Sequence, residues 1–430
     1  MTTIRRGHFS EAGVLGHTIY RDGRAHLLLW EDGKSRIVNE YVVASRDITY
    51  RPIQSMYIEH GGVQVPSDSS FERHDDLIED IRSYILGNIL IDDSSSGVLT
   101  AYVMYTWLFD KVSAAPYLYI MGEQGRGKSR IKKLLSMLCF NGTDLGTSVT
   151  PPTLFRIQDM VRGTLHIDEF ERDYSDKSDN YIQILNGGYT VGGVVYRNEQ
   201  RGRGDWEPIP YVVGGPKVIV SRSIPGDMAM VSRCFAIPMD KVDKSLLDEK
   251  GISRHITPEM RTEAESIRNR LFGMRLKRYS EVPKLNASVR IDSEEPRDCE
   301  LIESIVSVLP HDNQPVMAEL LCAFLFRRDL IPSEKDEADL VLVLLTLTET
   351  NKNGLPLELK FSDIRTKAKD LTGHQFKPKE IGTTLRRLKF STKRTAAGTV
   401  VVIRDLKLVT ELVKKYDVCK PMQPSISKNE

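Results

Sequence analysis

Cysteine is scarce in this chain, and what there is does not cluster. Cys139, Cys234, Cys299, Cys322 and Cys419 form no CxxC pair and have no histidine at ligand spacing. That argues against a zinc site and for reduced intracellular thiols. Charge of one sign is also lacking. Sixty Lys and Arg face fifty-nine Asp and Glu, so any affinity for nucleic acid or membrane must be local. Long apolar runs are absent: the longest, around Leu340 to Leu347, is too short to span a bilayer. The opening residues, MTTIRRGHFSEAGV, lack the apolar stretch of a signal peptide. No internal repeat or extended low-complexity tract occurs. The expectation is a cytoplasmic protein with no membrane partner, whose 430 residues suffice for two or three domains.

What is present is a phosphate-binding loop in its proper setting. Gly122-Glu123-Gln124-Gly125-Arg126-Gly127-Lys128-Ser129 matches GxxxxGK[ST]. An apolar run, Tyr117 to Met121, precedes it and reads as a buried strand. Arg130 to Phe140 follows, with Ile131, Leu134, Leu135 and Leu138 at helical spacing. A Gly-rich turn lets successive backbone N–H groups converge on phosphate oxygens, and the helix N-terminus adds positive dipole. The expected nucleotide-binding residues are Gly122 to Ser129 together with Arg130. Forty residues beyond Lys128, Thr164-Leu165-His166-Ile167-Asp168-Glu169 reads as a strand ending in two acids. Beside a P-loop that pair suits phosphoryl transfer: Asp168 and the Ser129 hydroxyl would hold Mg2+, and Glu169 would polarise the attacking water. ATP and Mg2+ are the expected cofactors, with Lys128 and Glu169 as catalytic residues.

Residues 1–70 are rich in Val, Ile, Thr and Tyr, with hairpin signals at Arg21-Asp22-Gly23 and Glu31-Asp32-Gly33-Lys34. They predict a small β-rich module. From Asp75 to Phe109 the period is helical, broken at Asp92 to Gly97. Between 115 and 240, short apolar strands alternate with helices, which predicts a mostly parallel sheet with helices on both faces. Inside that block, residues 191–213 predict a β-hairpin whose loop, Asn198 to Pro208, carries Arg201, Arg203 and Trp206. Residues 241–335 read as a helical lid and linker. Residues 336–418 then give two helices, Ser362 to Lys369 and Pro378 to Lys389, and a hairpin with its tip at Lys393 to Gly398. That is the winged-helix order. Residues 419–430 form a polar tail.

The block from about 75 to 240 resembles the AAA+ ATPases. More narrowly it is similar to helicase-like ATPases of phages, plasmids and staphylococcal-cassette-type mobile elements, relatives of MCM-type replicative helicases. The phrases that carry this are Pro116-Tyr117-Leu118-Tyr119-Ile120, Thr153-Leu154-Phe155-Arg156, Ile184-Leu185-Asn186-Gly187-Gly188-Tyr189, Gly215-Pro216-Lys217-Val218-Ile219 and Ser232-Arg233-Cys234-Phe235. The cysteine cluster of the MCM zinc-bearing collar is missing. The resemblance implies a homo-oligomeric ring, a hexamer, with ATP between subunits and Arg233 as an arginine finger reaching the neighbour's γ-phosphate. It implies a strand-end sensor at Ser221 or Arg222, neither of them the usual Asn, and a second sensor arginine at Arg268 or Arg270. It also implies that the inserted hairpin grips DNA in the ring channel, where Arg201 and Arg203 suit phosphates and Trp206 could stack on a base. A solvated loop with ordinary arginines is the alternative.

The second basic set lies between 371 and 404, where Glu380 is the only acid. It includes Arg386, Arg387, Lys393 and Arg394, as a duplex-binding module should, although winged helices also dock proteins. Three functions follow: a ring helicase or translocase in DNA replication of a mobile element, an AAA+ loader or initiator without processive unwinding, and a nucleotide-gated winged-helix regulator. The hairpin favours the first.

Overall fold

The computed structural model describes all residues except 1, 71–75, 123, 147–148, 169–175, 202–203, 223–227, 240–243, 282–290, 292–295, 327–331, 351–354, 373–375, 377–380, 383, 386–387, 389, 396–397, 405 and 417–430. Residues 176–180, 201, 228, 244, 280–281, 323–326, 332–336, 349–350 and 415 are described by backbone alone. The expected site residues Glu123, Glu169, Arg203, Arg386 and Arg387, and the side chain of Arg201, therefore lie outside the described residues. The chain divides into two units, Met1–Leu325 and Phe326–Glu430.

The first unit opens with β1 (Thr2–Arg6), β2 (His8–Glu11), β3 (Val14–Arg21), β4 (Arg24–Glu31), β5 (Lys34–Val38), β6 (Tyr41–Val43) and β7 (Ile48–Pro52). Strands β2 to β5 form an antiparallel meander, and β1, β7 and β6 form a second small sheet. The meander turns at Ala12-Gly13, Asp22-Gly23 and Asp32-Gly33. All six residues have positive φ, the geometry that matches the twist of a two-residue hairpin. The Asp-Gly signals mark two of these turns in the sequence; Ala12-Gly13 carries only the glycine.

After α1 (Ser55–Glu59) and β8 (Val63–Gln64) come α2 (Leu77–Asn88) and α3 (Asp93–Thr106). The break between these helices falls at Ile89 to Asp92, short of the expected 92–97. Asp92 is an N-cap: its carboxylate accepts from the Ser95 backbone N–H at 3.0 Å and from the Ser95 hydroxyl at 2.6 Å. The serines therefore start α3, because their hydroxyls satisfy backbone and capping groups at a helix N-terminus.

The core follows: β9 (Tyr117–Met121), α4 (Lys128–Leu138), β10 (Gly142–Asp144), α5 (Pro151–Val161), β11 (Leu165–Ile167), α6 (Asp176–Gly188), β12 (Val194–Arg201), β13 (Asp205–Val212), β14 (Lys217–Ser221), α7 (Met228–Val231) and β15 (Cys234–Pro238). The six-stranded sheet runs β15-β9-β14-β11-β10-β8. Its strands are parallel except β8, which pairs antiparallel with β10. Thus a strand from the expected N-terminal module forms the edge of the core sheet. The expected mixed α/β, mostly parallel architecture is present.

Next come α8 (Lys244–Glu249), α9 (Pro258–Glu281), α10 (Pro296–Val306) and α11 (Gln314–Phe326). Helix α9 falls in the expected lid, yet Ala264, Ile267, Leu271, Phe272 and Leu276 are buried in the same apolar cluster as the sheet. It also brings a fully buried arginine. Arg275 donates to both oxygens of Asp110 (2.7 and 2.6 Å), to the Trp107 carbonyl (2.6 Å) and to His17 Nε2 (3.2 Å). Its guanidinium also lies over Phe140 and Tyr279. One side chain thereby ties β3, the end of α3 and α9 together. Arg268 is equally committed, donating to the carbonyls of Val65 and Met137. Arg270 pairs with Asp80.

The second unit holds α12 (Pro332–Thr350), β16 (Leu357–Lys360), α13 (Phe361–Thr372), β17 (Ser391–Thr395), β18 (Gly398–Ile403) and α14 (Lys407–Lys415). Ile381, Gly382, Thr384 and Leu385 are also helical. The sheet order is β16-β18-β17, and Leu340, Leu344, Ile364, Ile381, Leu385 and Val401 meet in its core. Lys393 and Arg394, expected at a hairpin tip, lie instead within β17, opposite Val400 and Thr399. The β-branched Thr392, Thr395, Thr399 and Val400 carry the ladder further than the turn signal suggests. Among the described residues no helix is long and apolar enough to cross a membrane.

Burial holds two histidines beside Arg275 uncharged. Desolvation pushes His8 down to about 3 and His17 well below its ordinary value; strand residue His166 is lowered to about 3 for the same reason. Below pH 6.5 the unfolded chain then binds protons that the folded chain refuses, so stability is full above about 6.5 and falls on acidification. Each such histidine contributes about 1.4 kcal/mol per pH unit. Urea unfolding at pH 7.5, 6 and 5 should show this slope, and His8→Phe should flatten it; an unchanged slope would contradict a neutral buried ring. Arg275→Met should cost about 3–5 kcal/mol at neutral pH, because Asp110 is left buried without its partner.

Candidate functional site

Every parallel strand of the core sheet ends at one edge, and several of the expected site residues gather there. The P-loop leaves β9, Asp168 follows β11, and Ser221 and Arg222 end β14, which stands between those two strands. Among the described residues, Gln124, Gly125, Arg126, Gly127, Lys128, Ser129, Arg130, Asp168, Val220, Ser221 and Arg222 line one cavity of about 360 Å³. Residues separated by a hundred positions in the chain thus share one cleft.

The loop's shape explains its glycines. Gly125 and Gly127 have φ of +80° and +88°, a region that costs a residue with Cβ roughly 1–2 kcal/mol. Gly122 is needed for a different reason: a Cβ there would lie 2.7 Å from the Met239 carbonyl oxygen. Gly127 is the N-cap of α4, whose first turn contains no acid, so the helix itself supplies no counter-charge to the positive end of its dipole. The Lys128 ammonium bends back onto the Gly122 carbonyl. Arg130 lines the cleft but also donates to the Asn88 carbonyl at 2.6 Å, so it braces α4 against α2.

Asp168 is held from behind. Lys132, only 4% exposed, places its ammonium 2.9 Å from Asp168 Oδ2 and 3.0 Å from Asp144 Oδ1. Burial raises the Asp144 carboxyl, but the hydrogen bond and charge of Lys132 outweigh it and leave the group below its ordinary value. Neither Lys132 nor Asp144 is singled out by the P-loop pattern. The signal available was the helical spacing of Lys128, Lys132 and Leu135, which puts Lys132 on the inner face. As oxygen donors on one cleft, Ser129 and Asp168 suit a hard cation such as Mg2+. Among the described residues no group of three or more His, Cys, Asp or Glu could hold a metal by itself.

Arg233 lies at the other edge of the sheet. Its carbonyl accepts from the N–H of Tyr117, the first residue of β9, whereas the P-loop follows the last. Five residues at about 3.3 Å each separate the two, so Arg233 does not reach its own cleft. Its guanidinium donates to the Ala229 carbonyl and lies 5.6 Å from the ring centre of Tyr189, which Arg297 also approaches at 5.4 Å.

The inserted hairpin is an eight-pair ladder from Val194↔Val212 to Arg201↔Asp205. Residues 198–201 and 205–208, expected as loop, are strand, with Gly204 (φ +120°) serving the turn. The inner face stands on α5: Tyr211 packs against Phe155, and Arg156 and Tyr211 both donate to Glu199. The outer face carries Tyr196, Asn198, Gln200, Trp206, Pro208 and Pro210. It has no charge, and Tyr196 and Trp206 are 63% and 67% exposed. In the second unit, Lys393 and Arg394 are exposed on β17, Lys393 lying 3.8 Å from Glu358 of β16.

No protein-family model matches this chain, and no curated protein matches it. Among solved structures it is similar to three apo structures of the NrS-1 C-terminal region, two of them described as an A form. They are 10%, 12% and 11% identical, with TM-scores of 0.32, 0.33 and 0.29, over 91% of this chain and 96% of each of theirs. Similarity of that order assigns neither family nor activity.

Proposed function

We propose that this chain is an ATP-hydrolysing motor of the AAA+ type, a ring-forming DNA helicase or translocase acting in replication of a mobile element. The observation that carries the reading is the convergence of the P-loop, Asp168 and the end of β14 on one cleft at the C-terminal edge of a parallel sheet. The backbone N–H groups of the loop and the Lys128 ammonium would hold the phosphates. Ser129 and Asp168 would hold Mg2+, which when bound offsets phosphate charge. Glu169, next in the chain, would orient the attacking water, and Ser221 or Arg222 would sense the γ-phosphate from between the two strands.

Arg233 supports the ring. An arginine too far from its own cleft, at the opposite sheet edge, would serve the cleft of a second copy, as an arginine finger does. A motor is favoured over a loader or regulator by the hairpin, whose uncharged face offers two exposed aromatic rings for bases to stack on. The second unit, with its β16-β18-β17 sheet and helices, is read as a winged helix. Arg386, Arg387, Lys393 and Arg394 would meet duplex phosphates there.

Four measurements test this. ATP turnover should rise with single-stranded and forked DNA. Lys128→Ala should abolish binding of a fluorescent ATP analogue, while Glu169→Gln keeps binding and stops turnover; equal loss of affinity in both would contradict the division of roles. Arg233→Ala should bind ATP yet hydrolyse it about 10³-fold more slowly. Mixing it with Glu169→Gln subunits should recover some activity, and no recovery would argue against a shared site. Replacing Tyr196 and Trp206 by Ala should remove stimulation by single strands and weaken their binding by about 1–3 kcal/mol per ring, leaving basal turnover intact. Normal fork unwinding by that variant would favour the loader reading.

A further inference from the structure

Lys132 and Asp144 form a device that the P-loop reading does not explain. Lys132 is almost wholly buried one helical turn beyond Lys128, and its ammonium bridges two carboxylates, Asp168 at the cleft and Asp144 behind it. Among the described residues Lys133, 27% exposed, also lies 3.5 Å from Asp144, and Arg126, Lys128 and Arg222 share the cleft with Asp168. The His166 ring lies between Asp144 and Val218 in the strand register, fully buried, with neither nitrogen hydrogen-bonded. Asp168 is therefore already paired with a cation of the chain itself.

We propose that Lys132 is a placeholder for the divalent cation. It occupies Asp168 when no metal is bound and retires to Asp144 when the metal arrives, which makes it a positioning residue that tunes the metal's affinity. The inference rests on Asp168 being a metal ligand in the proposed nucleotide site. Its physical basis is that two cations compete for one carboxylate in a poorly hydrated place, where an ammonium 2.9 Å away strongly disfavours a second positive charge. Asp144 is the reserve acceptor that lets the ammonium leave without being stranded in the interior.

The device has an unusual signature, because its two members should act in opposite directions. The readout is metal coupling: the affinity of the full-length protein for a fluorescent ATP analogue with Mg2+, divided by that without it. Lys132→Met removes the competitor, and the coupling should rise at least about fivefold. Asp144→Asn strands the ammonium on Asp168, and the coupling should fall by a similar factor. The double variant should return to the Lys132→Met value, since Asp144 matters only through Lys132.

A purely structural ion-pair cluster would lower thermal stability in both variants and leave the coupling unchanged; that result, or shifts of the same sign, overturns the proposal. If Lys132→Met does not fold, Asp144→Asn decides alone: lowered coupling supports the placeholder and unchanged coupling ends it. If the unaltered chain binds no ATP analogue, the nucleotide reading and this one fall together. Binding with immobile coupling removes only this one.

Discussion

The buried pair between Arg275 and Asp110 is the contact on which the first unit's integrity rests. A guanidinium with no exposure is costly to desolvate, and here it is repaid by two charge-assisted bonds, a carbonyl, an imidazole and two aromatic rings. Those partners come from β3, α3, the end of α4 and α9, which are far apart in sequence. The N-terminal meander is consequently joined to the core by a polar lock within an apolar surround. His17 can accept from Arg275 only while its Nε2 is unprotonated, so the burial that keeps the ring neutral permits this role, with the ring proton on Nδ1. Trp107 and Phe140, the latter just past the end of α4, pack edge to face beside this joint.

A parallel sheet has two chemically different edges, and this chain assigns them different work. Backbone N–H groups and acids gather where the strands end. At the edge where they begin lie Arg233 and Arg297 over Tyr189. The asymmetry comes from strand direction: in an antiparallel sheet, strand starts and strand ends would alternate along each edge.

Sequence reading reached the parts whose causes are local. The strand, glycine turn and helix of β9 and α4, the two Asp-Gly turns and the strand before Asp168 all declare themselves through spacing or turn chemistry, and the structure has them. It fell short where the cause is remote. Nothing near Arg275 or Arg268 in the chain shows that these arginines are buried, because their partners lie from about 130 to over 250 residues away. Lys132 looks like a solvated helix residue until Asp144 and Asp168 are placed beside it. The hairpin ladder extended past its expected loop because its stability comes from α5 beneath it. The start of α3 was obscured because a run of serines reads equally well as a loop or as a capped helix.

The two prolines of β13 have a consequence for the hairpin's neighbours. The Val212 N–H points away from β12, to the Asp159 carboxylate at 3.1 Å. By the two-residue period of a strand, the nitrogens of Pro210 and Pro208 face the same free edge, and neither bears a hydrogen. That edge cannot offer the row of donors by which one strand recruits another. A strand approaching this edge would find the carbonyl acceptors of β13 but no N–H donor at positions 208 and 210.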